Sequence, residues 1–128
     1  MNERPPATAE RPTILLVEDE PAVRRSVQLV LQGSGYAVRS YASGAALLAD
    51  PNASNAAGVV ADYRLSDSNG LAVLRSLRAA EFTGWAILIT AFPSRELAAQ
   101  ARAEGYAHIL IKPLADRVLR DAVADLSG

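Results

Sequence analysis

From Pro12 onward, short apolar runs alternate with stretches in which apolar residues recur at helical spacing. That alternation is the pattern of repeated βα units around a parallel sheet. The runs Thr13 to Val17 (TILLV), Ala57 to Ala61 (AGVVA), Trp85 to Ile89 (WAILI) and His108 to Ile111 (HILI) are almost wholly apolar, as strands buried on both faces must be. They predict the first, third, fourth and fifth strands. Tyr36 to Tyr41 (YAVRSY) carries Arg39 among apolar residues, which suits a second strand nearer an edge. Between the first two strands, Pro21 stands at a first helical position, and Val23, Val27, Val30 and Leu31 keep helical spacing until Gly33 stops the pattern. Ser43 predicts the cap of a short helix to Ala49. Leu71, Leu74 and Leu77 mark a third helix, and Val118, Leu119, Ala122, Val123 and Leu126 a fifth. The fourth, from Pro93 to Glu104, has only Leu97 and several Ala for a buried side, so it should dock weakly. Weak docking suits an element that moves.

Composition narrows this to one folded domain. The chain has 128 residues, 50% apolar and 21% charged, near the globular average and too short for two cores. Met1 to Arg11 mixes Pro, charge and small residues without periodicity and reads as a disordered tail, with residues 12–128 as the domain. Thirteen basic against fourteen acidic residues leave a net charge of -1, which offers no overall attraction to nucleic acid or an anionic membrane. With no Cys and the single His108, Cys/His zinc sites and thiolate nucleophiles are excluded by inventory. His108 reads as a half-exposed strand residue, and Arg24 and Arg25 as solvated helix face. No apolar stretch approaches the ~18 residues of a membrane span, and no signal-peptide core is present, so the expected place is the cytoplasm.

Four of the apolar runs end in polar residues: Glu18 and Asp19 after the first, Asp62 after the third, Thr90 after the fourth and Lys112 after the fifth. In open α/β sheets ligands bind at that carboxyl edge. In a doubly wound order 2-1-3-4-5 the first and third strands are neighbours, and three carboxylates share one pocket. Like charges so crowded raise one another's pKa unless a cation joins them, and oxygen-only ligands favour Mg²⁺. A carboxylate beside Mg²⁺ acts as a nucleophile toward a phosphoryl group, whose charge also calls for a cation and a hydroxyl, types that Lys112 and Thr90 supply. Ala91 leaves room for entry. Singly, each residue has a plainer role: Glu18, Asp19 and Glu20 could complement the start of the first helix, and Asp62, Thr90 and Lys112 could be turn caps or solvated strand ends.

Val17 to Glu20 (VEDE), Asp62-Tyr63-Arg64-Leu65, Gly70, Ile89-Thr90-Ala91 and Lys112-Pro113 together resemble the receiver domain of two-component response regulators, from Thr13 to about Leu126. The resemblance implies a flavodoxin-like α/β fold, a doubly wound five-stranded parallel sheet in the order 2-1-3-4-5. It implies Asp62 as phosphoacceptor, Glu18 and Asp19 as the acidic pair, Thr90 as switch hydroxyl and Lys112 as phosphate-binding lysine. The Mg²⁺ shell would be Glu18, Asp19, Asp62 and the Arg64 carbonyl, and the Lys112-Pro113 bond would be cis.

Two positions depart from the family pattern. Ser66 stands where a Pro is usual, which should loosen the turn through Asp67 and Ser68. Ile109 stands where an aromatic usually reports the active state, leaving Phe92 or Tyr106 to carry the signal.

The expected function is a phosphorylation-controlled signalling receiver, not an enzyme beyond its own phosphorylation and slow autodephosphorylation. Its donor would be a histidine kinase or histidine phosphotransfer protein and its output a downstream protein partner, with no nucleic acid, no membrane, and a homodimer left open. A chain ending at Gly128 suggests a single-domain regulator. The alternative is a protein-binding module of the same fold acting without phosphorylation. A phosphohydrolase with an Asp nucleophile ranks last, because Arg64 stands where that chemistry usually places a second Asp.

Overall fold

A computed structural model describes residues 11–127. The expected tail lies outside the described residues except for Arg11, which is exposed and without regular structure. Five strands, β1 (Thr13–Val17), β2 (Ala37–Tyr41), β3 (Gly58–Asp62), β4 (Trp85–Thr90) and β5 (His108–Ile111), form one sheet in the order β2-β1-β3-β4-β5. All four neighbouring pairs are parallel. The helices are α1 (Pro21–Gly33), α2 (Gly44–Leu48), α3 (Gly70–Ala79), α4 (Arg95–Glu104) and α5 (Asp116–Ser127), with a 3-10 turn at Ala53–Asn55.

Alternate residues of each central strand face opposite sides, so the sheet carries two cores. Ile14, Leu16, Val60, Ile87 and Ile89 meet Val27 and Leu31 of α1 and Leu119 and Val123 of α5. Leu15, Val17, Val59, Ala61 and Leu88 meet Leu47 of α2, Leu71, Leu74 and Leu77 of α3, and Leu97 and Ala101 of α4. β3 is buried at every position, whereas β2 is half-buried, as its polar residues predicted for an edge. That edge is tied down by Asp50, which accepts hydrogen bonds from Arg39 at 2.8 Å and from the Tyr41 hydroxyl.

Element boundaries differ from the sequence expectations for local reasons. β3 runs one residue later than Ala57 to Ala61, because the Asp62 main chain still pairs with Ile89. Tyr36 stays out of β2, its amide donating to Leu31 at the end of α1. α4 starts at Arg95 rather than Pro93, since Ser94 is extended and accepts from the Leu97 amide at 3.0 Å, a side-chain N-cap. Ser43 and Asn69 cap α2 and α3 in the same way.

Ser66 does not leave its turn loose. Asp67 reaches back 22 or 23 positions and accepts from the Gly44 amide at 3.0 Å and the Ala45 amide at 2.9 Å, fastening the β3–α3 loop to the start of α2. The Leu65 amide also bonds to the Ser68 carbonyl. A carboxylate between two amides supplies the restraint that a Pro ring would have supplied.

Candidate functional site

β1 and β3 are neighbours because the chain crosses over through α1, β2 and α2 before returning beside β1. Their carboxyl ends therefore bring Glu18 and Asp19 to Asp62, and one carboxylate oxygen of each lies within 4.8 Å of the others. Glu18 is 1% exposed and Asp62 5%, while Asp19 is more accessible. Thr90 ends β4, opposite Ile111 and one position beyond the partner of Asp62, and it is buried. Lys112 follows β5, with its amide bonded to the Thr90 carbonyl at 2.9 Å. The five side chains named from the sequence thus meet at one edge of the sheet.

The ammonium of Lys112 is the local counter-charge. It donates to Asp62 Oδ2 at 2.9 Å and lies 3.1 Å from Glu18 Oε1 and 4.0 Å from Glu20 Oε1. Burial works against the charge on Lys112, but its hydrogen bond to Asp62 and its ion pair with Glu18 outweigh that and hold its pKa above the ordinary lysine value. Glu18 is pushed up to about 7, first by burial and to a lesser extent by the Asp62 charge, against the lowering effects of the Glu20 amide and Lys112. Crowding of like charges is therefore the secondary cause of the shift and desolvation the primary one.

Glu18 Oε2 accepts from the Glu20 amide at 3.0 Å. Its Oε1, buried and facing Lys112 without hydrogen-bond alignment, has no hydrogen-bond partner. A buried carboxylate oxygen without one is costly, and a divalent cation among these oxygens would offset that cost. The residues present therefore fit a metal ion with hard oxygen ligands.

Several neighbours make contacts that the sequence did not show. Arg24 is half-buried, not a purely solvated helix residue, and donates to the Glu18 carbonyl at 2.8 Å, fixing the turn that carries the acidic pair. Gly70 was noted only within the motif. Its missing side chain matters because a Cβ there would lie 2.9 Å from the Asp62 carbonyl oxygen and 2.6 Å from Leu88 Cδ1. The Arg64 guanidinium lies over the Phe92 ring, 4.5 Å from its centroid, at the exposed mouth. The Thr90 hydroxyl accepts from the Phe92 amide at 3.1 Å, which leaves its own proton to donate. His108 is a strand residue paired with Asp125 at 2.9 Å, away from the acidic cluster. The Lys112-Pro113 bond is cis, as the resemblance implied.

Residues 14–124 match the sequence profile of the response regulator receiver domain. The chain belongs to that family. Among curated relatives, it is 32% identical over 112 residues to the C4-dicarboxylate transport transcriptional regulatory protein DctD of Rhizobium meliloti, covering 87% of this chain and 24% of DctD. It is also 32% identical to the transcriptional regulatory protein FixJ of the same species, covering 87% of this chain and 54% of FixJ. It thus spans about half the length of FixJ and a quarter of that of DctD. Its fold matches the beryllofluoride-activated receiver domain of DrrB with a TM-score of 0.84 at 24% identity, over 91% of this chain and 97% of that one.

The chain is a phosphoryl-accepting signalling domain of the response-regulator type, and nothing favours the same-fold module acting without phosphorylation. No helix among the described residues is long and apolar enough to cross a membrane.

Proposed function

We propose that this receiver domain takes a phosphoryl group onto Asp62 from a phosphohistidine of a histidine kinase or phosphotransfer protein in the cytoplasm, and passes its state on by protein contact. The observation that carries this reading is the Lys112 ammonium at 2.9 Å from Asp62 Oδ2, within a cluster whose buried Glu18 Oε1 has no hydrogen-bond partner. Asp62 attacks phosphorus as its carboxylate. Its O–P bond forms as the donor's P–N bond breaks, and the electron pair stays with the leaving imidazole nitrogen. Lys112 neutralises one oxygen of the transferring group, and the buried Thr90 hydroxyl donates to another. Glu18, Asp19, Asp62 and the Arg64 main-chain carbonyl would hold Mg²⁺, which when bound offsets the negative charge shared by phosphoryl group and carboxylates. Slow hydrolysis of the acyl phosphate by water resets the domain.

The test is intact mass after incubation with acetyl phosphate. One phosphoryl group should appear with Mg²⁺ and be absent with a chelator, and Asp62→Asn should abolish it. Equal labelling of the Asn variant would overturn the assignment.

A further inference from the structure

No aromatic stands at position 109 to link the site to α4 and β5. Ile109 is half-buried against the core and has no polar end. An aromatic three positions earlier, Tyr106, reaches the start of the helix that packs on Asp62. Its side chain is buried, and its hydroxyl donates to the Gly70 carbonyl at 2.7 Å across 36 positions of sequence. We propose that Tyr106, through this hydrogen bond, is the positioning residue that couples α4 and β5 to the state of Asp62; this rests on Asp62 being the phosphoacceptor.

The two ends of the link are well placed for it. Gly70 begins α3, donates its amide to the Tyr63 carbonyl at 2.9 Å, and packs so closely on the Asp62 main chain that no side chain fits between them. A change in the main chain at Asp62 and Tyr63 therefore reaches Gly70 directly. Tyr106 stands at the joint between α4 and β5. Gly105 ends α4 in the left-handed conformation at φ 114°, the Tyr106 amide donates to the Ala101 carbonyl at 3.0 Å, and the Ala107 amide begins pairing with Ala86 at 2.9 Å. On its other side Tyr106 lines, with Leu97, Ala98 and Ile109, a cleft of about 360 Å³ between α4 and β5, so α4 has room to shift as the joint turns.

A phenylalanine would fill the same space, so the hydroxyl needs a reason beyond packing. Burial pushes the phenol well above its ordinary pKa, which keeps it a donor throughout the physiological range. A neutral donor on a main-chain carbonyl holds one element in register with another without adding charge to the core, which is what a coupling element between two arrangements requires.

The experiment is amide NMR of wild type and Tyr106→Phe titrated with beryllofluoride in saturating Mg²⁺. At saturation the shifts at 62–64 and 90 should be retained, while the induced shifts across 95–111 fall by about half or more in the variant and the beryllofluoride midpoint moves by the coupling that is lost. Equal shifts across 95–111 in the two proteins would overturn the link. A purely structural role would reduce the response at 62–64 and 90 along with the remote shifts, and that result also counts against it. In unmutated protein the Tyr106 ring resonances should move on saturation, so unmoved resonances refute the link even if the Phe variant does not fold. A wild type that gives no response at 62–64 overturns the Asp62 assignment and this link with it.

Discussion

Helices α3 and α4 lie side by side on one face of the sheet with ten residues each, yet they are held very differently. α3 buries Gly70, Leu71, Val73, Leu74 and Leu77, while α4 buries only Leu97 and Ala101. The helix pressed against the Asp62 main chain is thus the fixed one, and the helix beyond it is held by little apolar area. Such a pairing suits signalling, because a rigid element next to the chemistry transmits a small displacement and a weakly docked one responds to it. One polar contact, Arg75 to Glu104, joins the two helices on the outside, and another, Tyr106 to Gly70, ties the start of α3 to the joint that follows α4.

The comparison breaks most readily at its cores. Leu74→Ala should cost about 4 kcal/mol, because Leu74 is fully enclosed, and Leu97→Ala about 2 kcal/mol, at the low end for such truncations. Urea denaturation measures both. Hydrogen exchange should quicken throughout the domain in both variants by the global loss, with a further local quickening across α4 in the Leu97 variant. Equal costs with identical exchange patterns would mean that α4 is docked as firmly as α3.

A second test sets the site against α4. Without metal, the raised Glu18 carboxyl makes the folded state bind more protons than the unfolded chain between pH 4.5 and about 7. The contribution of Glu18 to stability is then fully present below the lower value and is lost as pH rises through the upper one, by an amount on the order of a few kcal/mol. Saturating Mg²⁺ should flatten the dependence. Exchange in the strands and α3, which open only globally, should follow this pH effect, while α4 should be insensitive to it. A flat pH profile in chelator would contradict the burial of a charged Glu18.

Much of this arrangement was legible in the sequence because it depends on local pattern. Asp62 and Thr90 each close a buried apolar run and Lys112 an apolar run at the sheet edge that ends on the exposed Ile111, and a polar residue at that place is visible without a structure. The weak docking of α4 was readable from Leu97 and its alanines. The contacts that escaped are those in which a side chain meets a main-chain group, from six to 36 positions away. Tyr106 to Gly70, Asp67 to Gly44 and Ala45, and Arg24 to Glu18 have a carbonyl or amide as partner, and every residue type carries those. Nothing in residue identity marks which carbonyl will be used. The shift of β3 to include Asp62 escaped for a related reason, since strand pairing belongs to the main chain and not to the polarity of the side chain.

Smaller effects sharpen the fixed end of the pair. The amides of Ala45 and Gly44 hold the Asp67 carboxyl below the usual aspartate range, so its stabilising contribution is present above the unfolded value of 3.8 and is lost as pH falls below it. Asp67→Ala should lower the thermal midpoint and quicken exchange at residues 44–46 and 64–69 while leaving α4 unchanged. If α4 loosens as much as α2, Asp67 holds more of the domain than the start of α2. The smallest effect belongs to the outer contact. Glu104→Gln should leave stability within experimental error, since the Arg75 side chain is 66% exposed and solvent screens the pair. A clear loss would show that α4 depends on that ion pair more than on its apolar side.

The most direct measurement places the phosphoryl group itself. An acyl phosphate is reduced by borohydride to the alcohol, so a phosphorylated aspartate becomes homoserine, which peptide mass locates. Protein treated with acetyl phosphate and Mg²⁺ should carry homoserine at position 62 alone, in proportion to the phosphate bound. Homoserine at Asp19, a reduced side chain at Glu18, or stoichiometric phosphate with no reduction product at 62 would contradict Asp62 as the acceptor.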